Sequence, residues 1–149
     1  MPLRARPFLL LLALHAPYAV ARTCALSIGA DDQMQFSTAE LRVAPDCTRV
    51  ELTLRHTGTR SVTAMGHNWV LARSEDVRAI AIAGQRAGAA AGYLPRDDAR
   101  IVARTTLIGG GQSTRISFPT AALRRGGDYT FFCSFPGHWN VMKGRFVFG

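Results

Sequence analysis

Short runs of alternating apolar and polar residues follow one another from residue 50 to the end of the chain, and they predict strands. Residues 50–54 (Val-Glu-Leu-Thr-Leu) alternate as a strand with one buried face does. Three further runs, at residues 114–118, 129–133 and 145–148, are rich in β-branched and aromatic residues and lie between turn-forming Gly, Asn and Asp residues. Such spacing without alternating helices favours an all-β fold, a β-sandwich of Greek-key type.

One segment interrupts this alternation. Between Ser74 and Gly92 the chain accumulates alanine, and Ser74 is a suitable N-cap, so we expect one short helix inserted between strands. The glycine run at residues 109–111 predicts a flexible turn, because no Lys-Ser/Thr pair follows it as in a phosphate-binding loop. With no repeat or linker, residues 22–149 are predicted to form a single domain.

The first 21 residues have the pattern of a cleaved secretory signal peptide. Arg4 and Arg6 precede an apolar run at residues 8–14, and a small-x-small triplet stands at residues 19–21. The seven residues of that run are too few to span a bilayer, which takes about 20. We therefore expect an exported chain that begins near Arg22 and has no membrane span. A lipid anchor on Cys24 is the competing interpretation, but the residues before Cys24 lack the small side chains expected there.

The charge balance is basic. The formal net charge is +8, and removal of Arg4 and Arg6 lowers it to +6. A nucleic-acid partner is not expected, because the arginines are scattered and an exported protein rarely meets DNA. A solvated arginine-rich surface is the simpler explanation, and attraction of an acidic redox partner is the more specific one.

The chain has three cysteines, so one stays unpaired if the other two form a disulfide. An oxidising compartment would allow a bond between Cys24 and Cys47, which have 22 residues between them. Cys133 would then be free. Its neighbours Phe131, Phe132 and Phe135 would raise the pKa of the thiol, making it a poor nucleophile unless a metal ionises it.

The residues around Cys133 predict a metal site. Cys133, His138 and Met142 have the spacing C-x4-H-x3-M, and Pro136-Gly137 favours a turn that brings His138 back toward Cys133. His67, 66 positions earlier, would arrive from another strand. One thiolate, two imidazoles and one thioether are the ligand set of a blue-copper electron-transfer centre.

Four separate stretches of the chain carry motifs of a known family. They are residues 32–36 (DQMQF), 65–71 (MGHNWVL), 107–109 (LIG) and 131–144 (FFCSFPGHWNVMKG). In this order and at this spacing they resemble the azurin family of bacterial periplasmic cupredoxins, over nearly all of the predicted mature chain.

This resemblance implies the fold and the cofactor. The fold would be an eight-stranded cupredoxin-like β-sandwich with a helical insertion and a Cys24–Cys47 disulfide. The cofactor would be one type 1 copper ion bound by His67, Cys133 and His138, with Met142 and the backbone carbonyl of Gly66 as distant axial groups.

The resemblance also implies a function. The protein would be a periplasmic electron carrier that cycles between Cu(II) and Cu(I), transforms no substrate, and exchanges electrons through the exposed edge of His138. Its partners would be redox proteins such as c-type cytochromes or a copper nitrite reductase.

Several neighbouring positions match the family and others depart from it. By resemblance, Asn68 would tie the ligand loop to the backbone around Ser134, Trp69 would pack in the core, and His56 would be a buried histidine near the copper. The apolar docking face is kept in part, and the residues that keep it are Met34, Met65, Phe135 and Val141. Departures that leave the partner open are Arg60 and Ser61 in place of Leu and Pro, Gln85 in place of a rim methionine, and Trp139 and Asn140 directly after His138.

Three other functions compete with electron transfer. A copper carrier or storage protein could use the same ligands, but would typically have exposed Met- or His-rich tracts, which this sequence lacks. A thiol enzyme would need an accessible, ionised Cys133. A functional zinc site would more often have a harder fourth ligand than Met142.

Overall fold

A computed structural model describes residues 21–149, which form eight strands and two α-helices. The strands are β1 (Thr23–Ala30), β2 (Glu40–Val43), β3 (Arg49–His56), β4 (Val70–Arg73), β5 (Ile101–Arg104), β6 (Ser113–Pro119), β7 (Tyr129–Phe132) and β8 (Lys143–Phe148). The helices are α1 (Val62–Met65) and α2 (Val77–Ala87), with single 3-10 turns at Ser74–Asp76, Ala89–Ala91 and Thr120–Ala122. The predicted signal peptide, apart from Ala21, lies outside the described residues.

The strands form two sheets. In the three-stranded sheet, with the order β1-β3-β6, β3 pairs parallel with β1 and antiparallel with β6. The five-stranded sheet has the order β2-β8-β7-β4-β5, in which the β2/β8 pair is parallel and the others are antiparallel. This confirms the predicted all-β sandwich, including its eight strands.

A single apolar core lies between the sheets. Alternate residues of β3, among them Leu52 and Leu54, are buried, and they join Phe131 and Phe146 of the other sheet in one cluster. Trp69 is fully buried in this cluster and stacks on Phe131 with 6.1 Å between ring centroids. Burial of each such side chain contributes roughly 1.5–3 kcal/mol, so the sandwich is a rigid support for the loops at its ends.

The predicted helical insertion between Ser74 and Gly92 is confirmed as α2. Its buried stripe is Val77, Ile80, Ala81 and Gly84, and it packs against β4 and β7 in a second apolar cluster that includes Phe132. Gly84 is required by close packing, because a Cβ there would overlap the Tyr93 carbonyl. No helix within residues 21–149 is both long and apolar enough to cross a bilayer.

The predicted N-cap role of Ser74 is wrong. Its hydroxyl lies 2.7 Å from Asp128 Oδ1 and 2.8 Å from Thr130 Oγ1, and it makes no capping bond to α2. Ser74 lies in the 3-10 turn that precedes the helix, and its hydroxyl is hydrogen-bonded to Asp128 and to Thr130 of β7.

The Cys24–Cys47 disulfide is confirmed. It links β1 to the turn before β3, with 5.9 Å between the Cα atoms. Cys133 is the free cysteine and is buried. A bridge closing a loop of this length stabilises the fold by roughly 3 kcal/mol, mainly by restricting the unfolded chain.

Candidate metal centre

The backbone at Gly66 and His67 is fixed by a short two-residue bridge to Ile108. The His67 N–H donates to the Ile108 carbonyl and the Ile108 N–H donates to the His67 carbonyl, each at 2.9 Å. Gly66 is buried, and a Cβ there would overlap the carbonyl oxygen of Val62 in α1. Glycine therefore allows α1 to pass close behind His67.

The second part of the site is the loop between β7 and β8. Cys133 directly follows β7 and Met142 directly precedes β8, and the Cys133 N–H donates to the Met142 carbonyl at 3.0 Å. Within the loop, Gly137 has φ 81°, and the His138 N–H donates to the Phe135 carbonyl at 3.0 Å. This is the predicted Pro136-Gly137 turn, and it brings His138 back over Cys133.

The structure brings His67, Cys133 and His138 together. All three are buried, and their potential ligand atoms lie within 4.8 Å of one another. Cys133 Sγ lies 3.8 Å from His67 Nδ1 and 3.5 Å from His138 Nδ1. Both imidazoles thus present the same nitrogen to the sulfur.

These distances fit a metal ion placed between the three atoms. A metal bonded to sulfur at about 2.3 Å and to nitrogen at about 2.0–2.1 Å, with an angle of about 120°, separates the two atoms by about 3.7–3.8 Å. The Sγ–Nδ1 distances of 3.5 and 3.8 Å lie near that value. A trigonal His₂Cys site can therefore form here with small movements.

A hydrogen bond outside the site sets the tautomer of His67. Its Nε2 lies 2.7 Å from the carbonyl oxygen of Asp31, which can only accept, so Nε2 carries the proton. In the neutral ring Nδ1 then carries no proton, so its lone pair faces Cys133 and is free to bind a metal. Sequence reasoning missed Asp31; its signal is the turn after β1, in which Asp31 Oδ1 accepts the N–H groups of Gln33 and Gln35.

Burial sets the protonation of the three groups. Desolvation raises the pKa of Cys133 to about 12, and hydrogen bonding from the backbone of Asn68 and Phe135 opposes this rise. Desolvation lowers the pKa of His138 to about 4, with a smaller contribution from His67. Desolvation also lowers the pKa of His67, opposed by its bond to Asp31. At neutral pH both imidazoles are thus ready to bind a metal, while Cys133 must release a proton.

Of the two predicted axial groups, the Gly66 carbonyl lies beside this triangle and Met142 is bonded to it through its backbone. The Gly66 carbonyl oxygen lies 3.8 Å from Cys133 Sγ. Met142 is only 1% exposed, belongs to the same apolar cluster as Cys133, and its N–H donates to the His138 carbonyl at 2.7 Å. The backbone of Met142 is thus hydrogen-bonded to both Cys133 and His138.

Asn68 joins the two parts of the site as predicted. Its Oδ1 accepts the Ser134 N–H and its Nδ2 donates to Ser134 Oγ, both at 2.8 Å. Ser134 Oγ also lies 3.3 Å from the Gly92 carbonyl, beyond α2. Asn68, which follows His67, thus binds Ser134, which follows Cys133, through both the oxygen and the nitrogen of its side-chain amide.

His56 lies behind His67 and outside the ligand triangle. It is fully buried, its ring centroid is 4.4 Å from that of His67, and its Nδ1 accepts the Gly58 N–H at 3.0 Å. Its Nε2 therefore donates to the Met65 carbonyl at 2.8 Å. As expected, it is a buried histidine near the site.

The surface over the site differs from the expectation at His138. This residue is only 3% exposed, so the expected exposed edge of its ring is almost wholly covered. Trp139 is half-buried and packs against the second apolar cluster, with α2. The exposed apolar residues nearby are Met34 at 37%, Val62 at 37% and Val141 at 63%.

Comparison with known proteins identifies the family. A family model described as copper binding proteins of the plastocyanin/azurin family matches residues 22–149. The chain belongs to the plastocyanin/azurin family. It is 42% identical over 126 residues to the azurin of Alcaligenes faecalis, covering 85% of this chain and 98% of that azurin. It is 43% identical over 135 residues to the azurin of Bordetella pertussis, covering 91% and 89%.

A solved structure gives the same assignment. The azurin Az-iso2 of Methylomonas sp. strain J superposes with a TM-score of 0.82 at 38% identity, over 85% of this chain and 98% of that one. Copper is therefore the metal of this family member, and the protein is a blue-copper electron-transfer protein. The donor set of one thiol and two imidazoles agrees with that metal.

Proposed function

We propose that this protein is a periplasmic electron carrier whose mature form is residues 22–149, and that His67, Cys133 and His138 would hold the copper ion. Met142 and the Gly66 carbonyl would be its two further, weaker ligands. The observation that carries this assignment is the buried triangle of one Sγ and two Nδ1 atoms. When bound, the copper ion supplies a one-electron Cu(II)/Cu(I) couple.

The role of the chain is to keep this geometry the same in both oxidation states. His67 is fixed by the Asp31 carbonyl, and Cys133 by its backbone bond to Met142. Asn68 prevents the two parts of the site from separating. Because these bonds do not involve the metal, little rearrangement accompanies electron transfer, and no substrate is transformed.

Electrons enter and leave through His138. Its carbonyl accepts the N–H of Val141 at 3.0 Å, and Val141 is 63% exposed. This contact places His138 directly beneath an exposed apolar residue. Phe135, whose ring centroid is 4.7 Å from that of His138, excludes water from the same side.

The partners we propose are redox proteins with an acidic docking patch, such as a c-type cytochrome or a copper nitrite reductase. Arg60 is exposed on the turn before α1, and its N–H and carbonyl are bonded to Asp32 and Gly110. Its backbone is therefore fixed, and it is a solvent-exposed positive charge two residues before the exposed Val62. Copper carriage or storage is not favoured, because the ligands are buried and preset.

The deciding experiment is the visible spectrum of copper-loaded protein with and without the thiol. Cys133→Ser removes the one soft anionic ligand, so the intense thiolate-to-copper absorption should disappear while circular dichroism still reports a β protein. Thr130→Ser, a hydroxyl change in the preceding strand, is the control and should keep the colour. A blue Cys133→Ser protein would overturn the assignment.

A further inference from the structure

One peptide group, between Ser134 and Phe135, lies between helix α2 and the sulfur of Cys133. Its carbonyl oxygen accepts a hydrogen bond from Gln85 Nε2 at 3.2 Å. Hydrogen bonding from its N–H, on Phe135, lowers the pKa of the Cys133 thiol. This amide therefore lies between a surface side chain of α2 and the residue that provides the buried thiol.

This amide cannot turn away from either partner. Ser134 is fully buried and is bonded to Asn68 through both its N–H and its hydroxyl. On the other side, the Phe135 carbonyl accepts the His138 N–H at 3.0 Å. The orientation of the amide is therefore set by the loop.

The packing of helix α2 fixes the position of Gln85. Gly84, just before it, is packed against the Tyr93 carbonyl, and Ile80 and Ala81 are buried in the second apolar cluster. Trp139, in the metal loop, packs against that same cluster. The helix and the loop are thus held together on both sides of the Gln85 contact.

We propose that Gln85 is a positioning residue for the metal centre, acting on Cys133 through the Ser134–Phe135 peptide group. Donation to the carbonyl polarises the amide and strengthens the bond from its N–H to the sulfur, by roughly 10–30%. A stronger bond withdraws electron density from the thiolate, disfavours Cu(II) more than Cu(I), and raises the reduction potential. This inference rests on the proposed ligand role of Cys133.

The first test is voltammetry of copper-loaded Gln85→Met, which keeps the length of the side chain and removes the donor. At a fixed ambient potential the ratio of reduced to oxidised protein should fall about twofold, or about 18 mV in potential for one electron. The apolar surface that methionine adds would by itself raise the reduction potential. A fall in potential therefore reports the lost hydrogen bond and not the added apolar surface. Gln33→Met, the same change at an exposed glutamine of the turn that carries Asp31, is the control and should leave the potential unchanged.

The second test needs no copper. In metal-free protein, the Phe135 amide proton should move upfield in Gln85→Met and stay in place in Gln33→Met, because only the first change weakens its hydrogen bond. In a Phe135→Pro background, which removes that N–H, Gln85→Met should no longer lower the potential. If Phe135→Pro fails to fold, the amide resonance decides.

Three results would overturn the inference. They are an unchanged potential in Gln85→Met, an equal fall in Gln33→Met, or an unmoved Phe135 amide proton. Failure of the proposed function is distinguishable, because unmodified protein would then lack the thiolate-to-copper absorption, while the amide resonance of metal-free protein still reports on Gln85.

Discussion

At the scale of single residues, the site depends on residues outside the proposed ligand set. Asp31 offers a backbone carbonyl, and Asn68 a side-chain amide, so each constrains a ligand by one or two hydrogen bonds. Such outer partners fix ligand orientation and tune the metal. The reduction potential of this protein therefore depends on more positions than the ligands alone.

Met142 gives a prediction about the axial position. Met142→Leu should keep copper bound and the protein coloured, and the reduction potential should rise, because a weak donor is lost and apolar surface is gained. Voltammetry with the visible spectrum measures both effects. A lower potential, or loss of copper, would show that Met142 is not a weak axial ligand.

The two ligand histidines give a prediction about pH. In metal-free protein, burial lowers the pKa of His138 from 6.5 to about 4, so below pH 6.5 the unfolded chain takes up a proton that the folded chain refuses. Stability should therefore fall as the pH falls from about 6.5 to about 4, by roughly 2–3 kcal/mol for this group. His67, whose pKa is also lowered, adds to the fall.

Urea unfolding of metal-free protein between pH 7.5 and 4 checks this. The carboxyls with lowered pKa, Asp32, Asp46 and Asp98, have an ordinary pKa of 3.8 and act below this window. His138→Gln should reduce the slope, and an unchanged slope in that variant would contradict the assignment.

At the scale of elements, α2 is a side support of the metal loop as well as an insertion in the sandwich. Its stripe shares an apolar cluster with Phe132 and Trp139, which lie on either side of Cys133 in sequence. Movement of the helix relative to β7 would therefore disturb the loop. The helix and the centre are expected to respond together to mutation.

Gly84 gives a prediction for this element. Helix propensity alone favours Ala over Gly by about 1 kcal/mol, so Gly84→Ala would be stabilising on an exposed helix face. Here the new Cβ overlaps the Tyr93 carbonyl, so we expect destabilisation of roughly 1–3 kcal/mol instead. Chemical denaturation measures the sign. Ala79→Gly, at an exposed position of α2, is the control and should cost only about 1 kcal/mol.

The elements that the sequence predicts best are those with clear alternation or composition. β3, β6, β7, β8 and α2 are predicted because their patterns are regular. β4 lacks a signal, since Val70, Leu71 and Ala72 are all buried and do not alternate. The ligand triangle follows from spacing and family resemblance, whereas the Asp31 and Gln85 contacts join residues 36 and 49 positions apart and depend on the packed fold.

At the scale of the whole molecule, the chain carries more basic than acidic residues and has a net positive charge. Residues 21–149 contain 16 of the 18 basic residues, and only five of their arginines lie within 4.0 Å of a carboxylate. Such exposed pairs contribute little stability. The excess of positive charge is thus available to act on encounters with other molecules.

Arg60 gives the corresponding prediction. Electron-transfer rates with an acidic partner should fall as ionic strength rises toward 0.1 M, where the screening length shrinks to about 10 Å. Arg60→Glu should slow the reaction at low salt and leave the copper spectrum unchanged. Arg49→Glu, the same charge change at the start of β3, is the control. It should have a smaller effect, because the end of β3 that lies near the metal site is the opposite one, where His56 stacks on His67. Salt-independent rates with a silent Arg60→Glu would show that docking is purely apolar.

The bond between the Cys133 N–H and the Met142 carbonyl has a consequence for the order of folding. It closes a hairpin that already holds Cys133, His138 and Met142, with only eight residues between its ends. Closing so short a loop costs less entropy than bringing in His67 from 66 residues away. Three of the proposed ligands can therefore gather as soon as this hairpin forms, and His67 joins them only when β4 pairs with β7 in the same sheet.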